Sequence, residues 1–172
     1  GRAARPDVAE HQGPAVIALI DYGAGNLTSV RKALAALGAD FVVPRIPEEC
    51  AGAAGLIVPG VGHFSATTAL DEPWRAAVGG AVRGGTPLLG ICVGMQWLFD
   101  GSSEAAGHPG LKLMPGICRL LTDEEARTPS GDSPAGSDAV SPRFKVPHVG
   151  WNSLRLTKPS WLLDGVGEGD QV

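Results

Sequence analysis

Cys92 stands between Gly90 and Gly94 in the run Pro87-Leu-Leu-Gly-Ile-Cys-Val-Gly-Met-Gln-Trp-Leu-Phe99. This is the frame of a nucleophile elbow, G-x-nucleophile-x-G, with cysteine in the central place. The apolar stretch 87–91 reads as a buried strand, and a helix begins directly after the cysteine. Flanking glycines let the chain take a sharp turn that side chains would block. The thiol then lies at the end of a strand and under a helix N-terminus, whose partial positive charge favours the thiolate. Thiolate is the attacking form. Cys50 and Cys118 lack such a frame and read as ordinary core thiols.

Attack on a carbonyl makes an oxyanion, and an oxyanion needs backbone N–H donors. The amide of Val93, next after the nucleophile, is the natural first donor. Pro59-Gly60-Val61-Gly62 follows another apolar strand, and its glycines let a second stretch of backbone come close. That loop is the candidate source of a second donor. A thiol of this type also needs a histidine base and an acid that orients it. The four histidines are His11, His63, His108 and His148. His11 stands near the start and His108 in a Gly/Pro loop, which suits neither for the task. His63 follows the 59–62 loop and is the one substitute base to weigh.

The elements that position these residues follow from apolar periodicity. Val16 to Ile20, Phe41 to Val43, Leu56 to Val58 and Pro87 to Ile91 are short, near-continuous apolar runs, as in strands buried on both faces. Leu27, Val30, Leu34 and Leu37 share one helical face, with Gly38 as a stop signal. Trp74, Ala77, Val78, Ala81 and Val82 share another. Strands alternating with helices predict an α/β fold, a mostly parallel sheet with helices on both faces. Its functional loops gather at the carboxyl ends of the strands. Those loops are 21–26, 59–62 and 90–94. Further on, 117–121 and 151–156 read as strands. Between them, 122–142 is rich in Ser, Pro, Gly, Asp and Glu and reads as a mobile insertion.

Composition narrows the class. The chain has 172 residues with 25 glycines, 14 prolines and a formal charge of −4, so no basic footprint suggests nucleic acid. No apolar run is long enough to span a membrane. Three cysteines without C-x-x-C spacing suit neither a disulfide framework nor a zinc site, and reduced thiols fit a cytoplasmic protein. No cofactor and no metal are expected. Residues 1–14 read as a disordered leader and 15–172 as a single domain.

Four segments in order carry a resemblance: Asp21-Tyr22-Gly23-x-Gly25-Asn26, Pro59-Gly60-Val61-Gly62, Gly90-Ile91-Cys92-x-Gly94-Met95-Gln96 and Pro147-His148-x-Gly150-Trp151-Asn152. Together they resemble the glutaminase subunits of imidazole glycerol phosphate synthase, a branch of the class I, triad-type glutamine amidotransferases. The elbow is common to the whole class, while the first and last segments narrow it to this branch. The resemblance implies a flavodoxin-like sheet and attack by Cys92 on the side-chain amide of glutamine. Ammonia would leave, and water would hydrolyse the glutamyl thioester. It implies that Gly60, Gly62, Gln96 and Glu104 bind substrate, with Val61 and Val93 in the oxyanion hole. It also implies that Asn26, His148 and Trp151 face a (β/α)8-barrel cyclase, which takes up the ammonia in histidine biosynthesis.

The late His-Pro-Glu segment that supplies base and acid in that family does not occur in these 172 residues. The expectation is a C-terminally truncated, incomplete glutaminase domain, with the last strands of the sheet missing and little activity alone. Two alternatives stay open. One is the glutaminase of another biosynthetic amidotransferase; the other is a non-catalytic module that docks a partner.

Overall fold

A computed structural model describes residues 15–122 and 150–171. The expected leader at 1–14, nearly all of the 122–142 insertion, and His148 lie outside them. The described residues fall into two compact units, 15–120 and 121–122 with 150–171.

In the first unit, β1 (Ile17–Leu19), α1 (Leu27–Ala36), β2 (Phe41–Val42), β3 (Gly55–Val58), α2 (Glu72–Arg83), β4 (Leu88–Gly90) and α3 (Val93–Gln96) follow the expected alternation. The four strands are parallel, in the order β2-β1-β3-β4. Ala18 pairs with Leu56 and Val58 with Gly90. From β1 the chain crosses to one side, and from β3 to the other, so the switch point lies between β1 and β3. Ligand crevices open at this place in such sheets. A second, two-stranded parallel sheet joins β5 (Gly101–Ser102) to β6 (Ile117–Cys118).

Both faces of the main sheet are covered, and alternate residues of each strand divide between them. Leu19 and Ile57 pack with Leu34 of α1, beside Leu27 and Val30. Ala18, Ile20, Leu56 and Val58 point the other way, into a larger core with Val78 of α2, Val93, Trp97 and Phe64. Near-continuous apolar strands are what a doubly covered parallel sheet needs. Among the described residues β4 has a neighbour on one side only, and its Leu89 is exposed.

Local chemistry sets the helix ends. Asn26 caps α1, its Oδ1 accepting from Ser29 N–H at 3.2 Å. Asp71 caps α2, and Pro73 falls in its first turn, where its missing N–H costs nothing. Gly38 turns the chain after α1 with a φ of +64°. Leu37, expected on the buried face, is instead 80% exposed. It is the C-cap, and the chain leaves the helix there before that face comes round again.

In the second unit the strand expected at 151–156 does not form. Ser153 makes an isolated antiparallel bridge with Gln171, and Leu154 N–H donates to Asp170 at 2.7 Å. The facing stretch turns at Gly169, whose φ is +86°, so the ladder stops after one bridge. Trp151 is 79% exposed.

Trp97 is fully buried at the centre of the larger core. Trp97→Ala is expected to lower unfolding free energy by roughly 3–5 kcal/mol, whereas Leu37→Ala changes it by less than about 0.5 kcal/mol. Urea denaturation of the two variants checks the contrast.

Candidate active site

The end of β4 delivers Cys92 to the surface of the first unit, where its thiol is exposed. Its backbone sits at φ +54°, ψ −112°, outside the regions an L-residue occupies comfortably. Holding such a conformation costs on the order of 1–3 kcal/mol, and surrounding structure must impose it. That surround is visible. Ile91 N–H donates to Val58 O at 3.0 Å, which fixes the residue before the turn. Gln96 N–H donates to Cys92 O and Trp97 N–H to Val93 O, which fixes the residues after it. Buried Val93 and Trp97 anchor this single helical turn in the core.

Gly90 and Gly94 serve space rather than backbone freedom, for the left-handed φ belongs to Cys92 itself. A Cβ on Gly90 would stand 2.6 Å from Met95 Cα and 2.7 Å from Gly94 O. One on Gly94 would run into the carbonyl of Val58. These are backbone obstacles that no rotamer change relieves.

The three loops at the strand ends meet. A Cβ on Gly60 would lie 2.7 Å from Gly94 N and 2.9 Å from Val93 Cβ, and against the Tyr22 hydroxyl. A Cβ on Gly25 would lie 3.4 Å from Pro59. The 59–62 loop therefore runs between the 21–26 loop and the elbow. Val93 N–H is the first amide of its helical turn, one of the donors that helix geometry leaves free. Among the described residues no hydrogen bond engages it. Val61 is half exposed, and Gly62 takes a φ of +89° in open space. The arrangement puts a thiol, an unpaired amide and a second backbone strand side by side.

Other candidates take more particular places. Gln96 ends the helical turn, with a buried Oε1 that has no partner among the described residues. Glu104 lies on the 3₁₀ turn Ser103–Ala105 and accepts from Phe64 N–H at 3.0 Å through Oε2. Asn26 is spent on capping α1. His63 Nδ1 lies 2.8 Å from Ser65 Oγ and accepts from Ser65 N–H at 3.2 Å, a local cap on the 3₁₀ helix Phe64–Ala69. His108 is exposed in the turn after Ala105. Among the described residues no hydrogen bond joins a histidine to the Cys92 thiol. Nor does any group of three or more His, Cys, Asp and Glu residues there suit a metal ion.

Cys50 is buried, and burial followed by the charges of Glu49 and Glu48 pushes its thiol up to about 11. Burial also raises Cys118, whose Sγ faces Gln96 O at 3.9 Å. Neither is poised as a nucleophile.

A sequence profile described as glutamine amidotransferase class-I matches residues 18–168. The chain belongs to that family. It is similar to the imidazole glycerol phosphate synthase subunit HisH of Geobacillus kaustophilus, 48% identical over 156 residues. That match takes in 90% of this chain and 68% of the relative. HisH of Geobacillus thermodenitrificans is 47% identical over 157 residues, with 90% of this chain and 67% of the relative covered. A solved glutamine amidotransferase shares the fold, with a TM-score of 0.53 and 24% identity over 60% of this chain and 56% of that one. The parallel sheet with helices on both faces is thus the class-I amidotransferase fold.

Tyr22, part of the first motif but given no role of its own in the sequence, also borders the thiol. Its hydroxyl is buried beside Gly60 without a partner among the described residues. Burial first, and the Cys92 charge second, push it up from 10.0 to about 12. The folded chain thus keeps a proton that the unfolded chain gives up near 10, so this group withdraws stability as pH rises above that value. Tyr22→Phe is expected to leave stability at pH 7 unchanged or raised, because it removes an unpaired buried hydroxyl. It should also flatten the alkaline decline. Denaturation curves between pH 7 and 11 check both, and a loss above about 1 kcal/mol at pH 7 would reveal a bonded hydroxyl.

Proposed function

We propose that the chain is the glutaminase of an imidazole glycerol phosphate synthase, and that Cys92 attacks the side-chain amide carbon of glutamine. The observation that carries this reading is the elbow itself, an exposed thiol held at φ +54° with the Gly60 backbone against Val93 and Gly94. Attack makes the S–C bond and a tetrahedral oxyanion. The amide of Val93, with that of Val61 across the site, donates to the oxyanion. Collapse expels the amide nitrogen, which leaves as ammonia once protonated, and water then cleaves the glutamyl thioester.

Gly60 and Gly62 keep the loop slim enough for the substrate to lie along it. Gln96 offers its unpaired buried Oε1 to the donors at the amino-acid end of glutamine. Glu104 takes the α-ammonium with the carboxylate oxygen that Phe64 leaves free. The ammonia passes to a (β/α)8-barrel cyclase subunit, which builds imidazole glycerol phosphate in histidine biosynthesis. The resemblance assigns Asn26, His148 and Trp151 to contact with that cyclase, and the large exposed apolar surface of Trp151 suits a contact of this kind. The family match runs through both compact units, which supports a single glutaminase domain over 15–172.

The proton chemistry needs a histidine base with an acid behind it. No His-Pro-Glu segment occurs in the chain, and His63 is engaged by Ser65. No described helix is long and apolar enough to cross a membrane, and three free cysteines suit a cytoplasmic setting.

Glutamine-dependent ammonia release by the protein assembled with its cyclase is the test. Cys92→Ala is expected to abolish release while the cyclase still accepts added ammonia. Release that survives the substitution would dismiss Cys92 as the nucleophile.

A further inference from the structure

The loop that lines the elbow is walled in at one end, and at the other it is anchored by a buried side chain and a backbone hydrogen bond to a distant carboxylate. Upstream, Gly60 is walled in by Tyr22, Val93 and Gly94. Then Val61 is half exposed, and Gly62 has open space around it. Downstream, the chain re-enters the core at Phe64, whose side chain is fully buried. Phe64 O accepts from Thr67 Oγ1 at 2.8 Å, inside the same 3₁₀ helix. Phe64 N–H is satisfied from elsewhere, by Glu104 Oε2 at 3.0 Å, forty residues further along the chain. Glu104 is itself set in place from both sides. Its N–H donates to Oγ of buried Ser102 at 3.3 Å, and Ala105 beyond it is buried.

We propose that Glu104 is a positioning residue for the Gly60–Gly62 loop, through its charged hydrogen bond to Phe64 N–H, in addition to receiving the substrate ammonium. This rests on the glutaminase reading above. Hydrogen bonds to charged groups are the strong ones, and this one is partly buried. A carboxylate has capacity for two partners, so one oxygen holds the loop while the other meets the ligand. Substrate arrival and loop placement are thereby joined in one side chain. A glutamine whose ammonium reaches Glu104 meets a loop already fixed from the same point.

Two reagents separate the roles. A diazo ketone analogue of glutamine alkylates the thiol: the diazo carbon takes a proton, sulfur bonds to that carbon, and dinitrogen leaves. Its deamino counterpart reacts identically but has no ammonium for Glu104 to meet. Labelling of Cys92 in the protein bound to its cyclase is followed by peptide mass spectrometry. Glu104→Ala is expected to slow both reagents by about tenfold or more, the effect of losing one charged hydrogen bond. Glu104→Gln keeps an acceptor for Phe64 N–H but loses the charge. It should restore most of the rate toward the deamino reagent while remaining slow toward the amino one.

Amide exchange at Phe64 gives an independent reading, fast in Glu104→Ala and protected in Glu104→Gln. Equal rates of the wild type and Glu104→Ala toward the deamino reagent, or unchanged Phe64 exchange, would overturn the positioning role. Failure of the wild type to label at Cys92 with either reagent would instead remove the glutaminase reading, and this proposal with it.

Discussion

Everything at this site depends on three backbones coming closer than side chains permit. Gly94 lies on the carbonyl that ends β3, and Gly90 lies on the turn that carries Gly94. Gly60 closes over both from the next loop. Those contacts make room for the turn at which Cys92 stands at φ +54°. The strain is local, whereas what imposes it is spread through the core. Val93 and Trp97 on one side of the cysteine, and Val58 with its bond to Ile91 on the other, are buried or hydrogen-bonded. Alanine at Gly90 or Gly94 would set a methyl group against main chain, where neither partner has room to yield.

The same closeness explains how a one-turn helix presents an exposed thiol. Order at Cys92 comes from the sheet beneath it, whose switch point lies between β1 and β3. The loops leaving those two strands carry Tyr22, Gly25, Gly60 and Val61, and β4 beside them carries the thiol. Position in the sheet, and not proximity in sequence, makes one site of residues 22, 60 and 92.

Much of this could be read from residue order, because each of those features leaves a local trace. Buried parallel strands show as apolar runs, α1 and α2 as periodic faces, and the elbow as a glycine frame. Gly90 and Gly94 mark the elbow in the sequence, but as a turn, whereas the structure shows close approach of backbone, which leaves the same mark. Other features leave no local trace. The bond from Glu104 to Phe64 joins residues forty apart, and nothing around either position announces it. Tyr22 looked like part of a loop because burial of its hydroxyl depends on Gly60. Leu37 matched the period of α1, yet the helix ends one residue earlier. The alternation at 151–156 was real, but its partner turns away after a single bridge.

Covalent capture tests the role of Cys92 most directly. The protein bound to its cyclase is mixed with glutamine, quenched in acid within a turnover, and digested for peptide mass spectrometry. A γ-glutamyl thioester on the peptide containing Cys92, absent when glutamine is left out, is the expected result. Ammonia release without that adduct, or an adduct on Cys50 or Cys118 in its place, would contradict it.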